Sequence, residues 1–246
     1  MAVCFQSARR RFYGMEITWI GHATFLIKGE ALTVVTDPWF GQSFLLRRLR
    51  PPALAPGDIP ACDVMLVSHG HGDHWDGHGL ALARRLGSIV VGPAPVARAA
   101  RRKGLQAEAA VPGRSISAAG LEITVLSAYH PAPGGKNAVG YIFYLDGQRI
   151  YFAGDTLPNP ALIFVLKKAV LDIAFLPVGA FKLLGRKVVM DVSDAYALAR
   201  EIRPRSVIPM HYGFLKGTEA DPGILKQLET EEIKVNILTP GEPVKF

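Results

Sequence analysis

Cysteine is nearly absent, with Cys4 and Cys62 the only two in 246 residues. No disulfide framework can be built from so few, and a reducing, cytoplasmic setting is the expectation. No apolar run approaches the ~20 residues of a membrane-spanning helix, so no integral membrane segment is expected. The opening MAVCFQSARRRFYG holds three consecutive arginines but no apolar core, and a secretory leader is therefore not expected. Acidic residues are in deficit, 21 against 28 Lys and Arg, which gives a net charge of +7. Such an excess suits an anionic partner without naming one. Internal repeats and low-complexity linkers are missing as well, which favours one domain.

What is present is a chain that is 49% hydrophobic and 20% charged, enough apolar material for a substantial core. Strand-like patterning begins directly after Met15. Residues 1–14 are thus expected to be a disordered extension ahead of a single domain over 15–246. Without Arg9, Arg10 and Arg11 the net charge would fall from +7 to +4. EITWI, ATFLIK and LTVVTD read as three antiparallel strands with tight connections, and DVMLVS as a buried strand. LALARRL and PVARAARRKG read as helices flanking the strand SIVVG, the second closed by Gly104. LEITVLSAYH is a strand, and VGYIFYLDGQRIYFAGD is a hairpin turning at Asp146-Gly147. LDIAFLPV and SVIPMH are strands, and DVSDAYALAREIRP and DPGILKQLETEEI are helices, the second ahead of VNILTP. The class is α/β, with two sheets face to face and helices outside.

VSHGHGDHWDGHG, residues 67–79, carries His69, His71, His74 and His78, four of the seven histidines in the chain. In an extended loop His69 and His71 project to one side, because side-chain direction has a period of two. Gly70 and Gly72 free the backbone to curl, while Asp73 and His74 can turn toward a second position. His130, Asp155 and His211 each stand just past another apolar strand. If those strands end at one edge of the sheets, their loops meet there. Imidazoles and carboxylates together suit zinc, iron or manganese. Seven ligands are too many for one tetrahedral ion and suit two ions ~3.5–4 Å apart that share a carboxylate.

HGHGDH at 69–74, followed in order by His130, FAGDT around Asp155 and PMHYG around His211, resembles the signature of the metallo-β-lactamase superfamily. GHATFLI and TDP are similar to its branch of ascorbate-phosphate lactonase-like and N-acyl-phosphatidylethanolamine phospholipase D-like hydrolases. The resemblance implies a four-layer αββα sandwich with the site at one edge. It implies that His69, His71 and His130 hold one divalent ion, that Asp73, His74 and His211 hold another, and that Asp155 bridges. Zinc is the first choice of metal, manganese and iron the alternatives. A metal-bridging hydroxide would then attack an ester, lactone or phosphodiester, with Asp73 steering its proton.

Other residues carry two readings each. His22, in IGHAT, is either a buried hydrogen-bonding histidine or a substrate contact. His78 and Tyr212 are further substrate candidates, against a helix start and simple packing. Asp37 is expected to fix a loop and Asp76 to cap a helix, while Cys62 reads as structural. WFGQSFLLRRLRPPALAPGD (39–58), with Arg47, Arg48 and Arg50, and FKLLGRKVVM (181–190) are basic surface segments. They could also act as lids over a small-molecule or lipid-like anionic substrate, or as contacts of a homo-oligomer. A flavodiiron oxidoreductase would need a glutamate at His71. A mononuclear-iron sulfur dioxygenase and an RNA-processing nuclease are the alternative functions. Nucleic acid is not the expected partner, since no RNA-binding arm is evident.

Overall fold

The computed structural model describes residues 14–42 and 47–246. Apart from Gly14, the expected extension over 1–14 lies outside the described residues, as does part of the basic segment 39–58. Three strands open the chain, β1 (Glu16–Gly21), β2 (Thr24–Lys28) and β3 (Thr33–Thr36), each antiparallel to the one before. The sheet then continues in parallel through β4 (Val64–Leu66), α1 (Gly77–Leu86), β5 (Ile89–Gly92), α2 (Ala94–Arg102) and β6 (Ala107–Ala109). A second sheet starts with the antiparallel meander β7 (Ser115–Ala118), β8 (Leu121–Ser127), β9 (Val139–Leu145) and β10 (Gln148–Phe152). It passes through α3 (Pro160–Ala169) to β11 (Ile173–Pro177), then through a small hairpin, β12 (Lys182–Leu183) and β13 (Arg186–Lys187). Then α4 (Val192–Ile202) leads to β14 (Ser206–Met210) and β15 (Lys234–Val235). The last strand, β16 (Pro243–Lys245), returns to pair with β1, so each main sheet has seven strands.

Period-two alternation explains why the first sheet is covered on both faces. Ile17, Trp19, Phe25, Ile27, Val34, Val64, Leu66 and Val91 point into the cluster between the sheets. Their neighbours Ile20, Leu26, Val35, Met65, Val67 and Val90 point the other way, into a separate cluster with Leu82 and Ala83 of α1 and Val96, Ala97 and Ala100 of α2. Across the inner layer, Phe25 meets Phe175 edge to face, ring centroids 4.7 Å apart. With α3 and α4 packed on the second sheet, the layers run helix, sheet, sheet, helix, the αββα sandwich in a single domain.

Local chemistry sets the helix ends. The Asp76 carboxylate accepts the amides of His78 and Gly79 at the start of α1, and Gly87 ends that helix at φ +68°. The reading of 221–233 as a helix is corrected to a short 3-10 turn, Pro222–Leu228. Beyond it Glu229 turns extended and its carboxylate accepts the Val235 amide, while Lys226 donates to the Val235 carbonyl. The polar side chains tether the edge strand β15 instead of continuing a helix.

A buried side-chain bond helps tie the two sheets together beneath the histidine loop. Buried Tyr141 of β9 donates its hydroxyl to the carbonyl of Val67, 2.6 Å away, just past β4. Tyr141→Phe leaves that carbonyl short of a partner and should cost about 1–3 kcal/mol. Urea denaturation would show it as a lower midpoint with an unchanged slope, and an unchanged midpoint would deny the bond its role.

Candidate metal centre

Within each sheet the strands β1, β3, β4 and the strands β8, β10, β11, β14 run in one direction, so their C-terminal ends share an edge. His22 follows β1, Asp37 follows β3 and the histidine loop follows β4. His130, Asp155 and His211 come just after β8, β10 and β14. The structure gathers all of these except Asp37 into three overlapping groups whose ligand atoms lie within 4.8 Å of one another. These are His69/His71/His130, His22/Asp73/His74/His211 and His69/His74/Asp155.

The hydrogen bonds behind the first group assign its tautomers. Ser68 donates its hydroxyl to Asp37 Oδ2, at 2.7 Å, so at 2.9 Å it accepts Nδ1–H from His69. His71 donates Nε2–H to the Pro133 carbonyl at 2.7 Å, and His130 donates Nδ1–H to the Val188 carbonyl at 2.9 Å. The remaining nitrogens are lone-pair acceptors, and they face each other. His69 Nε2 is 2.9 Å, and His130 Nε2 3.3 Å, from His71 Nδ1. Three lone pairs aimed at one point repel unless a cation lies among them. An ion with bonds of ~2.0–2.1 Å in tetrahedral array separates its donors by about 3.3 Å. The group fits.

Around the second group the donors are more deeply buried. His74 donates Nδ1–H to Asp37 Oδ2 at 2.7 Å, and its Nε2 faces Asp155 Oδ2 at 3.4 Å and Asp73 Oδ2 at 3.8 Å. His211 Nε2 lies 3.1 Å from Asp155 Oδ1, and His22 Nε2 lies 3.4 Å from Asp73 Oδ2. Among the described residues, His74 Nε2, Asp73 Oδ1, Asp155 Oδ1 and both ring nitrogens of His22 and His211 are buried without a hydrogen bond. So many orphaned donors in one place call for a ligand that satisfies them together.

The electrostatics agree. Burial works to raise the Asp73 and Asp155 carboxyls, but His74 with His22, and His211 with His74, outweigh it and hold both below the usual carboxylate range. Burial, with His74 adding, keeps His69 neutral well below its ordinary value, and burial lowers His130 likewise. Burial also lowers His74, yet Asp155, Asp37 and Asp73 overrule it and raise that ring well above its ordinary value. His22, Asp37 and His211 adopt left-handed backbone, at φ +56°, +33° and +60°. A non-glycine residue held there costs of the order of 1–3 kcal/mol. Gly179 lets the chain after β11 pass against the His211 carbonyl, where any Cβ would collide.

Not every residue marked in the sequence joins these groups. His78 sits in the first turn of α1 with its side chain 65% exposed, 3.7 Å from Asp76. Tyr212 packs at a tilt against Trp19 with ring centroids 4.8 Å apart, and burial pushes its hydroxyl up to about 12. Together with Leu49 and Arg50 the pair lines a separate cavity of about 740 Å³. Asp76 caps α1, and its Oδ2 accepts the amides of Phe40 and Gly41. Arg48 is no part of a solvated basic face. It is buried 3.4 Å over the Trp39 ring and donates to the Trp39 and Gly41 carbonyls, and burial lowers it to about 10. The structure adds Ser68 and the Pro133 and Val188 carbonyls, which orient ligands. Ser68 stands directly before His69, a clue open to sequence reading, whereas the two carbonyls leave no trace in residue type.

The buried histidines predict acid sensitivity. Burial foremost, with His211, lowers His22 from 6.5 to about 3. Between those values the unfolded chain binds a proton that the folded ring refuses, so stability falls as pH drops below 6.5. The expected loss is about 1.4 kcal/mol per pH unit for each such ring. His69 and His130 add in the same direction, while His74, raised instead, stays protonated in both states there and adds nothing. Melting of chelator-treated protein should therefore shift downward from pH 6.5 to 5, and a flat profile would refute the neutral-ring assignment.

Comparison with known proteins agrees with this geometry. The profile of the beta-lactamase superfamily domain matches residues 16–211. A metal-dependent hydrolase of Pyrococcus furiosus is 35% identical over 240 residues, covering 94% of this chain and all of the relative. One from Methanopyrus kandleri is 32% identical over 241 residues, covering 93% of this chain and 98% of its own length. Among solved structures, a metallo hydrolase from Ignicoccus hospitalis superposes with a TM-score of 0.77 at 26% identity, over 95% of this chain and 98% of that one. The chain thus belongs to the beta-lactamase superfamily, in its family of metal-dependent hydrolases.

Proposed function

We propose that the chain is a dinuclear metal-dependent hydrolase acting on an ester, lactone or phosphodiester in a small-molecule or lipid-like anionic substrate. His69, His71 and His130 hold one ion, Asp73, His74 and His211 the other, and Asp155 lies between. The observation that carries this reading is the set of three imidazole lone pairs held 2.9 and 3.3 Å apart, beside a second set of buried, unpartnered donors. Nitrogen dominates the first group, which favours zinc, while the carboxylates of the second keep manganese and iron as alternatives. Ions held there would supply a water that ionises near neutral pH and a Lewis-acid hold on the attacked carbonyl or phosphoryl group.

The side chains supply the rest. Asp73 is the catalytic carboxylate, kept ionised by His74 and His22, and its buried, unpartnered Oδ1 can accept a hydrogen bond that steers the nucleophile's proton. His71 is the partly exposed member of its group, so substrate enters from its side. Among the described residues no thiol nucleophile is available, because Cys62 is buried and burial pushes its thiol up to about 12.

Elemental analysis should find two zinc or manganese ions per chain. A single iron, with oxygen consumed by the protein, would replace this reading with a dioxygenase. His71→Ala and Asp155→Ala should each abolish hydrolysis of lactone and phosphodiester probes while the circular dichroism spectrum stays that of the parent. Full activity in metal-replete His71→Ala would remove it from the site. Asp37→Asn touches no ion but disturbs the bonds to His74 and Ser68, and should weaken metal binding by about 10–100-fold. Competition with a chromophoric chelator measures this, and unchanged affinity would deny Asp37 its orienting role.

A further inference from the structure

His22 has neither of the environments expected of it. A histidine that serves the core finds hydrogen-bond partners, yet both ring nitrogens of His22 lack one. A histidine that contacts substrate must be reachable, yet His22 is 0% exposed. Its ring lies against that of His211, centroids 3.8 Å apart, and edge-on to His74 at 5.2 Å. Its Nε2 is 3.4 Å from Asp73 Oδ2, and its ligand atom falls within 4.8 Å of those of Asp73, His74 and His211. The backbone is bent to achieve this. At φ +56° it is held by the His211 amide at 3.0 Å and the Trp19 indole at 3.1 Å, both donating to the His22 carbonyl.

We propose that His22 is a further protein donor to the second ion, through Nε2, beside Asp73, His74 and His211. This rests on the two-ion reading above. The consequence is an asymmetric pair. The second position is filled by protein side chains, while the first retains room toward the exposed edge of His71. Substrate is therefore received at the first position.

Cobalt titration of the full chain tests this, with bound metal counted by elemental analysis and the visible spectrum recorded at each step. His22→Asn accepts the left-handed backbone but is too short to reach Asp73. His22→Gln keeps an N–H that can bond Asp73 and removes only the imidazole. Wild type should bind two ions. Both variants should keep the first ion and bind the second more than about 100-fold more weakly, beyond the ~10–100-fold loss typical of an orienting partner. The absorption band added by the second ion should shift in both. Recovery of wild-type affinity and spectrum in His22→Gln would overturn the proposal in favour of a hydrogen bond to Asp73. Two tightly bound ions with unchanged spectra in both variants would overturn it outright. Wild type saturating at one ion would instead overturn the two-ion reading, and this proposal with it.

Discussion

The buried carboxylate of Asp37 is the interaction on which the centre depends. Its two oxygens take three hydrogen bonds, from the Ser68 amide, the Ser68 hydroxyl and His74 Nδ1, at 2.6, 2.7 and 2.7 Å. Through Ser68 it sets the tautomer of His69, and directly it sets that of His74. One side chain thus aims a nitrogen into each of two groups. Such a pairing of imidazole with carboxylate also raises the basicity of the ring toward an ion. Burying these carboxylates and imidazoles without a cation would leave them at a cost of several kcal/mol, since unpaired buried charge is expensive. A fold that keeps them converged is built around something positive.

Sheet direction turns that local chemistry into a site. The antiparallel pairs at the start of each sheet and the parallel strands that follow bring seven strand ends to one edge. The first sheet is buried on both faces, so a slip of one residue would exchange its inner and outer side chains. Register is therefore strongly specified, and with it the reach of every loop. Strained backbone at His22, Asp37 and His211 is tolerated because rigid strands precede each of them.

Much of this was legible in the chain because the signals are local. HGHGDH places four donors within six residues, and the segments before His130, Asp155 and His211 carry strand patterning rich in β-branched and aromatic residues. Other features depend on distant partners. His22 is a lone histidine beside a strand, and only the packing of His211, 189 residues later, shows where its ring points. Asp37 reads as a turn residue until Ser68 and His74 arrive. Helix α3 has no clean stripe to betray it, since Leu162 and Leu166 are buried while Phe164 is 60% exposed and Val165 is also exposed. The 221–233 segment has helical composition, but its charged side chains bond to β15, and tertiary contacts overruled the local preference.

The two basic segments follow the same logic. Arg48, stacked on Trp39 and bonded to the carbonyls of Trp39 and Gly41, ties its own position to the residues that follow β3. Its charge is committed to the fold, whereas Arg47 and Arg50 are exposed. The β12–β13 hairpin lifts Leu184 into solvent, 97% exposed, between Lys182 and Arg186. The hairpin's base includes Val188, whose carbonyl accepts Nδ1–H from His130. A segment that presents an apolar tip and flanking positive charge to solvent thereby also sets the tautomer of a candidate ligand. Displacing that hairpin would disturb His130, which couples the rim of the site to the geometry at its floor.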